Sequence, residues 1–455
     1  PNYSDIEVVH VINSCHLDIG FADSSAGIIN RYFDHHFPMA VQVGQELRAA
    51  AKDKTTPDKL GFMFQSWVIS MYLDCPPNMG LHCPNSSEIN AVEAAVRVGD
   101  ITWHAFPHNA ELEMMDPALI QAGLALTWAL DDRFGLPHKQ TLSQRDVPGM
   151  TRSLIPLLTK AGVSAIAIGA NDGSTPPSVP KLFKWVDETS QTSLLGLLNW
   201  PGYGSIANGP VVVEGLKHAL VYNWNGDNAG PFDAAHYTTT FSTLSETFPN
   251  AAIVASTFDN FTQYVLPMIN STVIPVVTKE MGDTWVYGCP SDPQKVARMR
   301  VINRAWRTEA SKWPGGSLVT AGNTLVDDPV LLNATRFALK LGEHTWGRDV
   351  KSNLVDNKNW KNPDFYKAKR PPASTAPQYE ILEESWWEQR QWGLTLAVDT
   401  LIEGGHRMAS ELVRELALLQ PLIPTPTSDF VTADVDTTYI CGEESVRFNK
   451  QGALT

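Results

Sequence analysis

Short apolar runs alternate with helical stretches through about the first 290 residues, and this alternation constrains the fold more than any other feature. "EVVHVINS", "KLGFMFQSW", "DITWHAF", "VSAIAIGAND", "HALVYNWN" and "AAIVAST" read as strands buried on both faces. Between them, "SEINAVEAAVRVG" opens on a capping Ser, and "DPALIQAGLALTWALDDRFG" has Pro in its first turn. Strands and helices in this order imply a parallel sheet, either a barrel or doubly wound. In both, ligands collect where the loops at the carboxyl ends of the strands converge.

From about Gln294 to Leu419 the strand signal gives way to long helical patterns such as "DPQKVARMRVINRAWRTEASKW". A Pro-rich break, "QPLIPTPTSD", separates these from a strand-like tail ending "VRFNKQGALT". The expected organisation is therefore an α/β unit over 1–293, a helical bundle over 294–420, and a linker with strands over 421–455. That last segment has little core of its own, so the rest of its domain is expected to be missing or on another chain.

The 455 residues are 43% hydrophobic and 18% charged, which is a globular composition. A formal charge of −14 argues against nucleic acid or an anionic membrane as partner. No apolar run approaches the length of a membrane span, about 18 residues. The chain opens on Pro1, as expected of a mature protein whose leader has been removed. Sequons at Asn2, Asn85, Asn260, Asn270 and Asn333 add to the expectation of a secreted, extracellular glycoprotein. Among five cysteines, Cys75 and Cys83 bracket the tight loop "CPPNMGLHC" and are the candidate local disulfide. Cys15, Cys289 and Cys441 stay unassigned.

The first strand ends in "CHLDIGF". His16 and Asp18, two apart on a strand, point the same way and make a metal pair suited to zinc; taken alone, the pair is more simply a buried histidine bonded to a neighbouring aspartate. "DITWHAFPHNAELEMMDP" places His104, His108, Asn109 and Glu111 beyond another strand, in a loop because Pro107 disfavours helix. "YNWNGDNAGPFDAAH" offers Asp227 for a polyhydroxylated ligand and Trp224 as a platform for a sugar ring, or is simply a Gly/Asn turn. "EMGDTWVYGCPSDPQK" carries Asp283, Tyr287 and Asp292, and "LKLGEHTWGRD" carries Glu343 and His344. Trp103, Tyr287 and Trp346 are further aromatic candidates for contact with substrate.

The order of these segments resembles glycoside hydrolase family 38, the metal-dependent α-mannosidases. His16-Leu17-Asp18-Ile19-Gly20-Phe21 matches the family's zinc-binding His-x-Asp-x-Gly-aromatic strand end. "GFMFQSW", "VEAAVRVGDITWHAFPHNAELE", "SQRDVPGMTRSLIPLLTKAGV", "YNWNGDNAGP" and "GDTWVYGCPSDPQKVARMRVINRA" follow in the family's order, and His344 falls where a bundle histidine completes the metal site. The resemblance implies a seven-stranded (β/α) barrel, a three-helix bundle and the start of a β-sandwich. It implies one divalent metal, zinc first, on His16, Asp18, His108 and His344, and a glycan substrate. A partner β-sandwich chain from the same precursor and homo-oligomerisation are also expected.

Where the family keeps an aspartate that is both nucleophile and ligand, this chain has His108. A histidine serves as a ligand but is a poor replacement for a carboxylate nucleophile. The expected activity is thus glycosidic-bond cleavage of non-standard mechanism, with Asp227 orienting substrate and Asp283 or Asp146 as acid or base. Two alternatives stand beside it. One is a lyase acting on uronate-containing glycans, with His104 or His108 as base and Tyr287 as acid. The other is a sugar-binding glycoprotein without chemistry.

Overall fold

A computed structural model describes residues 3–51, 56–282, 285–286, 292–318, 325–354, 361–370, 377–420, 428 and 432–455. Asn2, Asp283, Tyr287 and Cys289 lie outside the described residues. Two compact units are distinguished, Pro1–Glu415 and Leu416–Thr455.

The larger unit is mixed α/β, with ten strands in two sheets among the described residues. These are β1 (Val8–His16), β2 (Phe62–Met63), β3 (Ile101–Thr102), β4 (Thr141–Asp146), β5 (Ala165–Ala170), β6 (Leu182–Asp187), β7 (Thr192–Asn199), β8 (His218–Asp227), β9 (Ala252–Ala255) and β10 (Val276–Val277). One sheet runs β3-β2-β1-β8, with β9 also on β1; the other runs β10-β6-β7-β5-β4. All pairings are parallel except β6 with β7. Neither sheet closes on itself, so the expected closed barrel of seven strands is not what the strand pairing describes. Ala105 N donates to Thr141 O at 2.9 Å, which joins the segment after β3 to the start of β4.

Alternation along β1 explains why it anchors the unit. Val9 and Val11 join Phe241, Leu244 and Phe248 of the helix Ala234–Thr247 and its end. Ile12, on the opposite face, packs with residues of both sheets, including Ala167, Leu197 and Tyr222. Each such aliphatic side chain contributes about 1.5–3 kcal/mol of burial free energy. A valine-rich strand buried on both sides is thus fixed in register, and its carboxyl end is held rigidly.

The helical region packs on the carboxyl end of this scaffold through side chains that satisfy backbone groups. Glu388, in the helix Gln378–Arg390, accepts from Ser25 N at 2.5 Å and Ala26 N at 2.9 Å. Gln389 donates to Ile19 O at 3.0 Å and Ser25 Oγ at 2.8 Å. Gly20 is required here: its φ is +138°, and a Cβ would lie 2.7 Å from Gln389 Nε2. Cys75 and Cys83 form the expected disulfide, with Cα atoms 5.6 Å apart. Closing so short a loop restricts the unfolded chain by about 2–3 kcal/mol.

The smaller unit carries an antiparallel hairpin of β11 (Thr438–Cys441) and β12 (Glu444–Arg447), in register from Thr438 opposite Arg447 to Cys441 opposite Glu444.

Candidate metal centre

His16, Asp18, Asp146 and His344 meet at the carboxyl ends of β1 and β4. One ligand atom from each lies within 4.8 Å of all the others. His16 Nε2 is 2.9 Å from Asp18 Oδ1 and 3.1 Å from His344 Nε2. His344 Nε2 is 3.1 Å from Asp18 Oδ1 and 3.5 Å from Asp146 Oδ2. Two imidazole nitrogens and two carboxylates facing one another in a buried site are a donor set that fits zinc.

Each ligand is positioned by a local cause. His16 is the last residue of β1, where a bulge opposite Asp227 of β8 breaks the register. Its ring stacks on Tyr203, centroids 4.1 Å apart. Asn228 clamps the turn: its backbone N donates to His16 O at 2.8 Å and its Oδ1 accepts from Asp18 N at 3.1 Å. Asp146 ends β4 with φ +78°, a left-handed conformation uncommon outside glycine and concentrated at functional sites. Asn171 Nδ2 donates to its other oxygen at 2.7 Å.

His344 arrives from the helical region because Asn109 O accepts from His344 N, at 3.3 Å, and Glu111 N donates to Gly342 O at 2.8 Å. Its second ring nitrogen lies 2.9 Å from Glu343 Oε1. Lys340 donates to Glu343 Oε2 at 2.6 Å, and Thr345 Oγ1 to the same oxygen at 2.7 Å; Lys340, Glu343 and Thr345 are all buried. A carboxylate behind a ligating imidazole fixes its tautomer and raises its basicity.

The electrostatics separate the groups. Burial pushes the Asp18 carboxyl up, but His16 and His344 reverse this and hold it well below the usual range. Asp146 is lowered for the same reason, by His344, His16 and Asn171 against burial. Burial pulls His344 down, yet Asp146, Asp18 and Glu343 raise it well above its ordinary value. Asp227 behaves oppositely. Its carboxyl is raised by partial burial and by Asp18 and Asp146, against the pull of His16 and a hydrogen bond from Tyr203, although the residue opens to solvent.

His108 does not join the quartet, as the resemblance had implied. Its ring meets Trp67 and Phe106 edge-on, and Nδ1 donates to Asn109 O at 3.1 Å. Asp146, expected as an acid or base, stands in its place. His104 is buried as well, its Nδ1 accepting from Phe106 N at 3.2 Å and Ser143 N at 3.4 Å. Burial pushes His104 down to about 3 and His108 down to about 4.

Trp103 donates to Asp131 at 2.8 Å inside the core, and Trp224 is buried beneath Arg145, so neither offers a face to sugar. Trp346 is half-buried and donates to Asp292 at 3.0 Å. Asn85, Asn260 and Asn270 are exposed, while Asn333 is half-buried with its amide oxygen on Arg336. Tyr203, Asn228, Asn171 and Lys340 escaped the sequence reading; only the glycines flanking Tyr203 hinted at a constrained loop.

Residues 289–455 match the model of a domain of unknown function, DUF5054. No curated protein matches the chain. An α-mannosidase from Enterococcus faecalis is 15% identical, with a TM-score of 0.53 over 90% of this chain and 43% of that one. A glycosyl hydrolase family 38 protein from the same organism is 14% identical, with a TM-score of 0.42 over 90% and 40%. A family 57 branching enzyme from Thermococcus kodakaraensis is 8% identical, with a TM-score of 0.43 over 90% and 94%. The fold is similar to that of the Enterococcus α-mannosidase, and the chain spans less than half the length of either Enterococcus protein.

Proposed function

We propose that this chain is the catalytic portion of a secreted, metal-dependent glycoside hydrolase. The observation that carries this reading is a buried His16, Asp18, Asp146, His344 quartet beside the solvent-facing Asp227. A divalent cation held by the quartet, zinc first, supplies Lewis-acid polarisation and a grip on vicinal sugar hydroxyls. Asp227, whose carboxyl is raised and which opens to solvent beside the quartet, is the group placed to give a proton to the departing glycosidic oxygen. Asp146, whose carboxyl is lowered, stays ionised and orients the attacking water. Two carboxyls driven apart by their surroundings are a recurrent acid and base arrangement.

The two sheets are read as parts of one (β/α) barrel, a reading supported by the core they share and by the Ala105–Thr141 hydrogen bond. Secretion is supported by the Cys75–Cys83 disulfide and the exposed sequon residues Asn85, Asn260 and Asn270, on which N-glycans are expected. Metal-loaded protein is tested on a panel of aryl α- and β-glycosides, with Asp18→Asn as control. Turnover lost in the control is expected. Absence of both bound metal and turnover in the wild type would sink the reading and leave a sugar-binding role.

A further inference from the structure

Arg145, one residue before Asp146, is 1% exposed. It is paired across the β4–β5 ladder with Gly169, where a Cβ would lie 2.5 Å from Nη1 and 2.6 Å from Cδ, so only glycine leaves room for the guanidinium. Its charged carbon lies 4.7 Å from the ring centre of Trp224, 5.2 Å from Tyr222 and 5.5 Å from Phe258. None of its three nitrogens has a protein acceptor, and no carboxylate pairs with it among the described residues. The Tyr222 hydroxyl lies beside it and favours its charged form against burial. Trp224 Nε1, Ser143 Oγ and His104 Nε2 are likewise buried without a protein partner; Ser143 lies two residues before Arg145 on the same face of β4, and His104 feels the charge of Arg145. Because His104 Nδ1 accepts two backbone N–H groups, its Nε2 carries the hydrogen.

A guanidinium is always charged, and an unpaired charge in a core is strongly unfavourable. The aromatic rings repay part of that cost but accept no N–H in the ring plane. Arg, Trp and this His tautomer are donors only, so the group selects an occupant that accepts hydrogen bonds and is negative. We infer that the Arg145 box binds one small monovalent anion of the halide class. One fixed positive charge is matched by one negative charge, and a monatomic ion needs no matched geometry. The inference is independent of the metal centre and of the proposed activity.

The unfolding temperature of the full wild-type chain is measured at constant ionic strength as gluconate is replaced by chloride or bromide. A rise that grows with the logarithm of halide concentration is expected, about 2 °C at a tenfold to thirtyfold excess over the dissociation constant. Arg145→Met removes the response. Equal unfolding temperatures in gluconate and chloride would overturn the inference and leave water as the occupant, as would an unchanged response in Arg145→Met. If that variant does not fold, wild-type crystals soaked in bromide decide: an anomalous peak against the guanidinium supports the site, and its absence refutes it.

Discussion

His16 Nε2 lies 3.1 Å from His344 Nε2, although 328 positions separate the two residues in the chain. Two imidazoles in that relation either share a proton or offer two lone pairs to a cation, and the flanking Asp18 and Asp146 favour the cation.

Substitution of His16, Asp18 or His344 by Ala is expected to reduce bound metal from about one per chain to near zero after dialysis, by elemental analysis. His108→Ala is expected to leave the stoichiometry unchanged. Metal loss in His108→Ala alone would restore the ligand set implied by the family resemblance.

Glu343→Gln keeps the shape behind His344 but removes the charge that orients it. Metal affinity is expected to fall about 10- to 100-fold in competition with a chromophoric chelator. Stability falls too, by about 3–5 kcal/mol, because Lys340 is left buried and unpaired. The double variant with Lys340→Met recovers stability and not affinity.

Asp227→Asn removes the proposed proton donor. Turnover of glycosides with poor leaving groups is expected to drop about 10²- to 10⁴-fold, while dinitrophenyl glycosides, which leave without protonation, are nearly unaffected. Equal losses on both substrate types would assign Asp227 a binding role instead.

Acid stability is expected to be set partly by histidines buried in neutral form. Burial, with the nearby His218, pushes His10 down to about 4, and His36 is similarly lowered to about 4 by burial. A depressed histidine binds its proton more readily in the unfolded chain, so its contribution is present above about pH 6.5 and lost as pH falls toward 4. The urea midpoint is expected to decline across that window, with a shallower decline in His10→Asn. An identical profile in the variant would remove His10 from the account.

The legible parts of the chain were those where residue type and burial agree. β1, β5, β8 and β9 are valine-, alanine- and leucine-rich and stand out by composition. β4, "TLSQRD", is buried along its whole length yet polar: the Gln144 side chain bonds the backbone of His108 and Ala110, and Asp146 joins the candidate metal centre. β6 and β7 form an antiparallel pair inside a parallel pattern, which alternation of strands and helices does not anticipate. Motif order singled out His16, Asp18 and His344, which the structure brings together with Asp146. Asp146 was noticed without its place among the ligands, since a left-handed backbone at one aspartate leaves no mark in residue type. His108 stands at the position the resemblance points to, but its ring sits against Trp67 and Phe106, and residue type gives no sign of that.

The distance along the chain between the two histidines also sets a schedule. At about 5–20 residues per second, His16 and Asp18 leave the ribosome roughly 15–65 s before His344 is made. During that interval β1 has its neighbours from the first half of the chain but its metal site is one ligand short. On the proposed reading, cation loading is then a late event, completed only once the helical region has been synthesised and has docked.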